Sequence, residues 1–232
     1  MADKVAMIVG AGSGLSAAVA RRFAEEGFRV ALAARDTEKL AGLVAKTGGK
    51  AYRCDASIAA DVDQLFADVT TDFGTPDVAV FNAARRARGP IQDLDPEEVK
   101  AAILTTAFGG FLVGRAAAKL MIPAGRGTIF FTGASAGVKG FAQSAPFAMG
   151  KFGLRGLAQS MARELQPQNI HVVHVVVDGG IVNPDRGRQG HERGPDGLLD
   201  PDAIADTYYH LYTQHRSAWS WEIEVRPWVE KF

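Results

Sequence analysis

A phenylalanine and a lysine one helical turn apart are the first residues whose types and spacing point to chemistry. In the stretch SAPFAMGK, which runs from Ser144 to Lys151, Phe147 stands four positions before Lys151. An aromatic residue at this distance before a lysine is typical of an active site, but phenylalanine has no hydroxyl group to exchange a proton. Lys151 itself could donate a proton or stabilise an oxyanion if burial lowers its pKa, or it could only hold a bound ligand.

A glycine-rich stretch near the N-terminus can approach a phosphate. The sequence VGAGSGLS, from Val9 to Ser16, joins a predicted strand, Val5–Val9, to a predicted helix, 15–26. Glycines let the backbone come close to a pyrophosphate, and the first turn of a helix offers free N–H groups and a partial positive charge. A tight turn is the plainer interpretation, but the order strand, glycine turn, helix predicts dinucleotide binding. The predicted contacts are Gly10, Gly12, Ser13, Gly14 and Leu15.

The end of the second predicted strand indicates which dinucleotide binds. This strand, Arg29–Ala34, places Ala34 where an acidic residue would hold the ribose 2′-hydroxyl of NAD, and Arg35 follows. A guanidinium there can form paired hydrogen bonds with the 2′-phosphate of NADP. Asp36 could partly neutralise Arg35, and a solvated arginine is the alternative. NADP(H) is therefore favoured over NAD(H).

Two groups of positively charged residues could bind an anionic substrate such as a carboxylate or phosphate. They are Arg85, Arg86 and Arg88 after the fourth predicted strand, and Arg186, Arg188, His191 and Arg193 in the segment 183–201. That segment is rich in glycine, proline and charge and shows no apolar periodicity, so we expect a mobile lid over a site. A solvated charge run is the alternative for both groups.

Short apolar runs alternate with helical patterns along the whole chain. The predicted strands are 5–9, 29–34, 51–54, 77–81, 128–132, 171–177 and 222–225, and the predicted helices are 15–26, 37–46, 58–73, 95–121, 146–165 and 201–214. This alternation predicts an α/β fold, a single-domain, Rossmann-like, doubly wound parallel sheet with helices on both faces. We expect one NAD(P)-binding domain over 1–232, with Thr37 as the N-cap of the second helix.

Composition narrows the possible partners. The 232 residues carry 26 acidic and 26 basic side chains, so no bulk charge indicates a nucleic-acid or membrane partner. Cys54 is the only cysteine, which excludes an internal disulfide and favours a reducing compartment. No apolar run reaches the roughly 20 residues that span a bilayer. We expect a cytoplasmic protein that binds a small molecule, without a metal, nucleic acid or membrane.

Three further motifs, together with the glycine turn, resemble those of a known family. They are Cys54-Asp55-Ala56, Phe81-Asn82-Ala83-Ala84 and Asp178-Gly179-Gly180-Ile181, each after a predicted strand. In order and spacing, the four resemble the short-chain dehydrogenase/reductase family over essentially the whole chain. The resemblance implies that Asp55 and Ala56 lie at the adenine ring, that Asn82 and Ala83 also line the cofactor site, and that Gly179 and Ile181 lie against the nicotinamide carboxamide. Asp178 replaces the proline of the family's P-G-x-I turn.

The catalytic set of that family is an Asn, a Ser and a Tyr-x-x-x-Lys pair. In the family the Tyr is the general acid or base, the Lys lowers its pKa and binds the nicotinamide ribose, the Ser orients the carbonyl, and the Asn holds a water in a proton relay. The corresponding positions here are Thr106, Ala134, Phe147 and Lys151. Of the four catalytic residues of the family, only the lysine therefore has a matching residue in this chain, Lys151.

Other side chains could replace the missing groups, although each has a plainer role. A one-residue shift would bring in Ser135, and Ser144 is a second hydroxyl, but both residue types more often stabilise turns. Thr106 could hold a water or cap helix carbonyls. His174 is expected to be a core histidine whose hydrogen bonds are satisfied. The three tyrosines of a late helix are expected to pack in the core or at an interface, namely Tyr208, Tyr209 and Tyr212. The remote alternative is that one of them replaces the missing acid.

The favoured hypothesis is an NADP(H)-binding oxidoreductase of the short-chain type with an atypical proton donor and an unknown small carbonyl- or alcohol-like substrate. One alternative is a regulatory or structural protein that binds NADP(H) without turnover, and another is a lyase or isomerase without net hydride transfer. The resemblance also implies a homodimer or homotetramer, because the last strand and the two long central helices usually form the subunit interfaces of the family. Three tryptophans near the C-terminus fit an interface or packing within one chain.

Overall fold

Parallel strands form the centre of the protein. The structure is a computed structural model that describes residues 4–183, 185, 187–188 and 194–230. Within these ranges the strands are β1 Val5–Val9, β2 Arg29–Ala34, β3 Lys50–Arg53, β4 Val78–Phe81, β5 Gly127–Thr132, β6 Ile170–Val177 and β7 Glu222–Val225. They form one sheet in the order β3-β2-β1-β4-β5-β6-β7 with all pairs parallel. The predicted doubly wound α/β fold is confirmed.

Helices cover both faces of this sheet. They are α1 Leu15–Glu25, α2 Ala41–Thr47, α3 Ala59–Phe73, α4 Pro96–Ile103, α5 Gly109–Ala124, α6 Ala145–Leu165 and α7 Pro201–Tyr212. Side chains of α3, α5 and α6 pack in one apolar cluster, and those of α1, α2 and α7 pack in a second one. All eight residues of β6 are buried, as expected for a strand covered on both sides.

The N-terminal end of the second helix differs from the prediction. Thr37 makes no capping hydrogen bond through its side chain, and a 3-10 turn, Glu38–Leu40, precedes α2. The carboxylate of Asp36 instead accepts a hydrogen bond of 3.2 Å from the backbone N–H of Glu38. The expectation that Thr37 caps the helix is therefore wrong, because the preceding aspartate satisfies the first free N–H group.

The long central helix predicted over 95–121 is interrupted. Asp95 caps α4 by accepting from the N–H of Glu97 at 3.0 Å, and a π-helical turn, Leu104–Phe108, then leads into α5. The stretch Pro96–Ala124 has a mean hydropathy of 1.4 in its most apolar window, so it is long and apolar enough to cross a membrane, contrary to the expectation from the sequence. However, 50% of that window is buried inside the fold, as in the core helix of a globular protein.

Candidate active site

A cleft of about 1060 Å³ opens at the carboxyl ends of the strands. The strand order changes direction at β1, which pairs with β2 on one side and β4 on the other. Ligands bind at such a switch point in open α/β sheets. All residues assigned to a cofactor from the sequence line this cleft, namely Gly10, Gly12, Ser13, Gly14, Leu15, Arg35, Asp55, Ala56, Asn82, Ala83, Lys151, Gly179 and Ile181. The structure brings them together, while their individual roles stay predictions.

The glycine turn is packed on one side and open on the other. Gly10 has a φ of +85°, and a β-carbon there would lie 2.5 Å from the backbone nitrogen of Ala83. A β-carbon at Gly12 would meet no atom of the described residues within 4 Å, so this part of the backbone is accessible from the cleft. The N–H groups of Gly10 and Ala11 both donate to the carbonyl of Ala33, at 3.0 and 2.9 Å. This shape fits the close approach of a phosphate group to the α1 N-terminus.

A hydrogen-bonded chain of side chains fixes the turn to the neighbouring strand. The hydroxyl of Ser16 donates to the carbonyl of Gly10 at 2.9 Å, and the amide nitrogen of Asn82 donates to that hydroxyl at 2.7 Å. Ser16 is the last residue of the glycine-rich stretch VGAGSGLS. Its contribution was not predicted from the sequence, since it depends on Asn82, 66 positions further along the chain.

The end of the cleft beside β2, which is the end away from Lys151, carries two positive side chains. Arg35 and Lys39 both line it, and Lys39 also pairs with Asp36 at 2.8 Å. This hydrogen bond holds the pKa of Asp36 below its ordinary value. The predicted neutralisation of Arg35 by Asp36 is therefore weakened, because the acid already pairs with Lys39. Lys39, four positions after Arg35, was not predicted from the sequence.

Asp55 follows β3 and lines the same cleft. One oxygen of its carboxylate accepts from both the N–H and the hydroxyl of Ser57, at 2.9 and 2.6 Å. Burial acts to raise the pKa of Asp55, but the hydrogen bonds from Ser57 and the charges of Arg35 and Arg53 together outweigh it, and the pKa is lowered. Asp55 is thus a charged, oriented acceptor at the cleft wall.

Lys151 is buried where the cleft meets the end of β5. Only 3% of the residue is exposed, and its Nζ donates to the backbone carbonyl of Thr132 at 2.6 Å. Burial, and secondly the charge of Arg86, lower the pKa of Lys151 from 10.5 to about 7. Near neutral pH, the amine and the ammonium are therefore both populated, which makes Lys151 able to give or take a proton.

Phe147 forms an apolar wall beside this lysine. The guanidinium carbon of Arg86 lies 4.1 Å from the centre of the Phe147 ring, and the Nζ of Lys151 lies 5.8 Å from it. Phe147 also forms a small apolar cluster with Ala134 and Ala136. Two cations therefore meet at the face of one aromatic ring, in contacts that the ring quadrupole favours.

Comparison with known proteins agrees with this architecture. A model of the short chain dehydrogenase family matches residues 4–190. The chain belongs to the short-chain dehydrogenase family. It is 30% identical over 192 residues to the 3-oxoacyl-[acyl-carrier-protein] reductase of Bos taurus, covering 82% of this chain and 80% of the bovine protein.

Two solved structures have the same fold over nearly the full length. A short-chain dehydrogenase from Rhodopseudomonas palustris is 36% identical, with a TM-score of 0.85 over 97% of this chain and 99% of the other. A metagenomic short-chain oxidoreductase in complex with NADP is 31% identical, with a TM-score of 0.84 over 99% of both chains. These are similarities of sequence and fold.

Three of the residues predicted to stand at the catalytic positions of the family, Ala134, Phe147 and Thr106, are apolar or hydrogen-bonded elsewhere. Ala134 lines the cleft beside Phe147. Thr106 is fully buried in the π-helical turn, where its hydroxyl oxygen accepts from the N–H of Arg85 at 3.2 Å. The hydroxyl of Ser135 hydrogen-bonds to the carboxylate of Asp178 and does not line the cleft. Ser144 does not line it either, so neither serine replaces the missing hydroxyl in this arrangement.

The predicted anion-binding residues are only partly brought together. Arg86 and Arg188 line the cleft, and Asn183 and Asp185, which the sequence analysis missed, line it as well. Arg85 points to Glu98 instead, with bonds of 2.7 and 2.8 Å, and neither Arg85 nor Arg88 lines the cleft. Of the group in the segment 183–201, Arg186, His191 and Arg193 lie outside the described residues.

The turn that follows β6 is tied to the C-terminal segment. Arg226 donates to the carboxylate of Asp178, and Lys139 lies 3.5 Å from the same oxygen. A β-carbon at Gly179 would lie 2.8 Å from the ring of Pro227. In this member of the short-chain dehydrogenase family, an ion-pair network therefore holds the turn where the family motif has a proline.

The remaining polar candidates lie below the cleft. The expected packing role of the tyrosines is confirmed, since Tyr208 is fully buried with its hydroxyl 2.8 Å from that of Thr132, and Tyr209 and Tyr212 pack on Phe23. Burial raises the pKa of Tyr208, which makes it a poor acid. His174 is a core residue as predicted, but the expectation that it is satisfied is wrong, because its Nε2 has no hydrogen-bond partner among the residues that the structure describes.

Proposed function

We propose that this protein is an oxidoreductase that uses NADP(H) and acts on a small carbonyl- or alcohol-type substrate. The observation that carries the proposal is that one cleft joins an open glycine turn to a buried lysine at its other end. A nicotinamide bound there would supply or accept the hydride. The names of relatives, a 3-oxoacyl-[acyl-carrier-protein] reductase and an oxidoreductase in complex with NADP, support this class of reaction.

The cofactor preference rests on the positive end of the cleft. Arg35 and Lys39 line it, and Ala34 precedes them where an acid would select NAD. Because two cations can pair with the 2′-phosphate, NADP(H) fits this chain better than NAD(H). The open backbone at Gly12 and the oriented Asn82 provide the remaining polar surface for the nucleotide.

The chemistry of this site relies on positive charge in place of a tyrosine hydroxyl. A hydride added to a carbonyl carbon leaves an alkoxide, which must be stabilised and protonated. Lys151, whose pKa lies at about 7, can protonate that oxygen from its ammonium, and Arg86 adds a second positive charge beside the Phe147 ring. A positioned general acid typically accelerates a reaction by about 10²–10⁴-fold.

The same charges favour a substrate that carries its own anionic group. Arg86 lies near Lys151 and Arg188 also lines the cleft, whereas the acids among the described lining residues are Asp36 and Asp55 at the far end and Asp185 in the segment after β6. A carboxylate or phosphate on the substrate could therefore bind beside the carbonyl that reacts. We propose an anionic carbonyl compound as the substrate class.

A substrate screen with NADPH tests the oxidoreductase proposal. Carbonyls, quinones and activated alkenes, each with and without a carboxylate, are incubated with the protein and NADPH. We expect oxidation of NADPH above the protein-free rate with at least one carboxylate-bearing compound and loss of that activity in K151M. Rates that never exceed the protein-free rate, for any compound, would overturn the proposal.

A cofactor-binding protein without turnover is the second candidate. It is favoured by the replacement of three catalytic positions at once, Phe147, Ala134 and Thr106. It predicts that NADPH raises the melting temperature without being consumed. The double variant F147Y/A134S distinguishes the oxidoreductase from the cofactor-binding protein without turnover, and A134S alone is its control. Gain of carbonyl reduction only in the double variant, from none in the wild type, would identify the missing hydroxyls as the reason for inactivity.

We also propose that the protein is a cytoplasmic homo-oligomer, a homodimer or a homotetramer. Family members are commonly oligomeric, and Phe108 and Phe111 stack at 5.9 Å while remaining 40% and 43% exposed at the junction with α5. Phe152 on α6 is 43% exposed as well. In light scattering, F111E should form a smaller assembly than the wild type, while I58E, a charge at another exposed apolar residue, should keep the wild-type assembly. A monomeric wild type would contradict the assembly.

The proposed cytoplasmic location is supported by Cys54, whose free thiol fits a reducing compartment.

A further inference from the structure

Asp178 is a buried acid that the proposed chemistry does not use. It follows the last residue of β6, it is only 6% exposed, and it does not itself line the cleft. Burial of an ionised carboxylate is unfavourable unless other groups pair with it. The partners of Asp178 therefore show which parts of the molecule this acid connects.

Three polar side chains surround the carboxylate of Asp178. Arg226 donates a hydrogen bond to Oδ2, and the Nζ of Lys139 lies 3.5 Å from the same oxygen. The hydroxyl of Ser135 donates to the carboxylate as well. Burial acts to raise the pKa of Asp178, but the hydrogen bonds from Arg226 and Ser135 and the charges of Lys139 and Arg226 outweigh it. The pKa is lowered, and the acid is ionised.

These partners come from two segments on either side of the turn 178–181. Ser135 directly follows Ala134, which lines the cleft after β5. The C-terminal segment after β7 contributes Pro227, whose ring would lie 2.8 Å from a β-carbon at Gly179. Asp178 thus holds the turn between the end of β5 and the C-terminal segment.

The backbone of Asp178 binds the C-terminal segment as well. Its N–H donates to the carbonyl of Val225 at 2.9 Å, and its side chain accepts from the next residue, Arg226. A proline, which the family's P-G-x-I turn has at this position, carries no N–H group and could not make the first of these bonds. In this chain, contacts with residues 225 and 226 therefore replace the rigidity of a proline ring.

The turn 178–181 faces one half of a bound dinucleotide. Gly179 and Ile181 line the cleft, as does Lys151. The strand order β2-β1-β4-β5-β6 separates this turn from Arg35, which follows β2, by four strand spacings. At about 4.8 Å per spacing, the two ends lie roughly 19 Å apart. With its 2′-phosphate at Arg35, an extended dinucleotide therefore has its nicotinamide at the end of the cleft beside the turn.

We propose that Asp178 is a positioning residue that immobilises the nicotinamide half of the bound cofactor. The inference rests on the proposed binding of NADP(H). Asp178 acts through its neighbours, because its ion pairs and its backbone bond fix Gly179 and Ile181 at the wall of the cleft. Loss of the acid should therefore weaken binding of the whole cofactor and spare its adenine half.

Calorimetry with two ligands tests this role without turnover. Adenosine 2′,5′-bisphosphate carries the 2′-phosphate of NADPH but lacks the nicotinamide. D178N and R226M should each weaken NADPH binding about tenfold, and change the affinity for the bisphosphate less than about twofold, because each removes one charge-assisted bond at the turn. Unchanged binding of the bisphosphate also shows that the variant is folded. E224Q is the control, since Glu224 lies 3.3 Å from Nε of Arg226 but on β7, and it should bind both ligands as the wild type does.

The fluorescence anisotropy of bound NADPH measures the mobility of its dihydronicotinamide ring directly. At saturating protein, the anisotropy should be lower in D178N and R226M than in the wild type and E224Q. R226M keeps the acid and decides the question if D178N does not fold. Equal losses of affinity for NADPH and the bisphosphate, or wild-type anisotropy in both variants, would overturn the positioning role and leave the proposed cofactor in place. A wild type that does not bind NADPH would overturn both.

Discussion

Replacing Lys151 by methionine should stabilise the fold, by an amount that depends on pH. The lysine is 3% exposed, and burial together with Arg86 lowers its pKa from 10.5 to about 7. Methionine retains most of the apolar length of the side chain but carries no charge. The variant therefore removes the energetic cost of a buried ammonium and keeps most of the packing.

The sign and size of the effect follow from proton linkage. In the unfolded chain Lys151 has its ordinary pKa, so between about pH 7 and pH 10.5 the unfolded state binds more protons than the folded state. The free energy of unfolding of the wild type should therefore rise with pH in this window, by up to about 1.4 kcal/mol per pH unit from this group. Below the window the full cost, roughly 5 kcal/mol, is present, and above it none remains.

Urea unfolding of the two proteins at several pH values is the assay. The stability advantage of K151M over the wild type should shrink by about 2 kcal/mol between about pH 7.5 and about pH 9. K119M, which removes a lysine from the exposed side of α5, is the control for loss of a lysine charge. Parallel curves for K151M and the wild type over this range would refute the lowered pKa of Lys151.

Three further variants test separate parts of the cleft. R35A should weaken NADPH binding about 10–100-fold in calorimetry, with little effect on NADH binding, because a charge-assisted hydrogen bond is worth about 1.5–3 kcal/mol. Equal losses of affinity for both cofactors would contradict the NADP preference. The control is R126A, which removes an arginine that pairs with Asp77. G133A should lower the melting temperature, because its β-carbon would lie 2.4 Å from His174 and 2.9 Å from the carbonyl of Val175; an unchanged melting temperature would show that β5 can shift. R86L should raise the pKa of Lys151, since the charge of Arg86 lowers it, and should therefore move the pH profile of NADPH oxidation to higher pH. An unchanged pH profile would show that Arg86 does not affect the pKa of Lys151.

Local sequence was sufficient to predict the strands and the cofactor end of the cleft. β1, β2 and β7 begin and end at the predicted residues, because short apolar runs bounded by turn residues or charges define them. The predicted cofactor contacts all line one cleft, since the carboxyl ends of parallel strands meet at one sheet edge. These features depend on residues that are close in the chain or on the topology that parallel α/β sheets have in common.

Features that depend on distant residues were not predictable in the same way. Asn82 reaches Ser16 across 66 positions, and Glu222 reaches His174 across 48. The core position of His174 follows from its apolar neighbours, but its unpartnered nitrogen depends on where Gly133 and Glu222 lie in space. The π-helical turn at Thr106 also escaped prediction, because its residues fit an ordinary helix equally well.

Transfer of deuterium from stereospecifically labelled NADPH to a product tests the central claim most directly. The protein is incubated with [4-²H]NADPH of each stereochemistry and the active compound from the screen, and the product is analysed by mass spectrometry. We predict deuterium in the product from one stereoisomer only, with transfer strongly reduced in K151M. Product without deuterium from either stereoisomer, or equal transfer in the wild type and K151M, would contradict a hydride-transfer site that depends on Lys151.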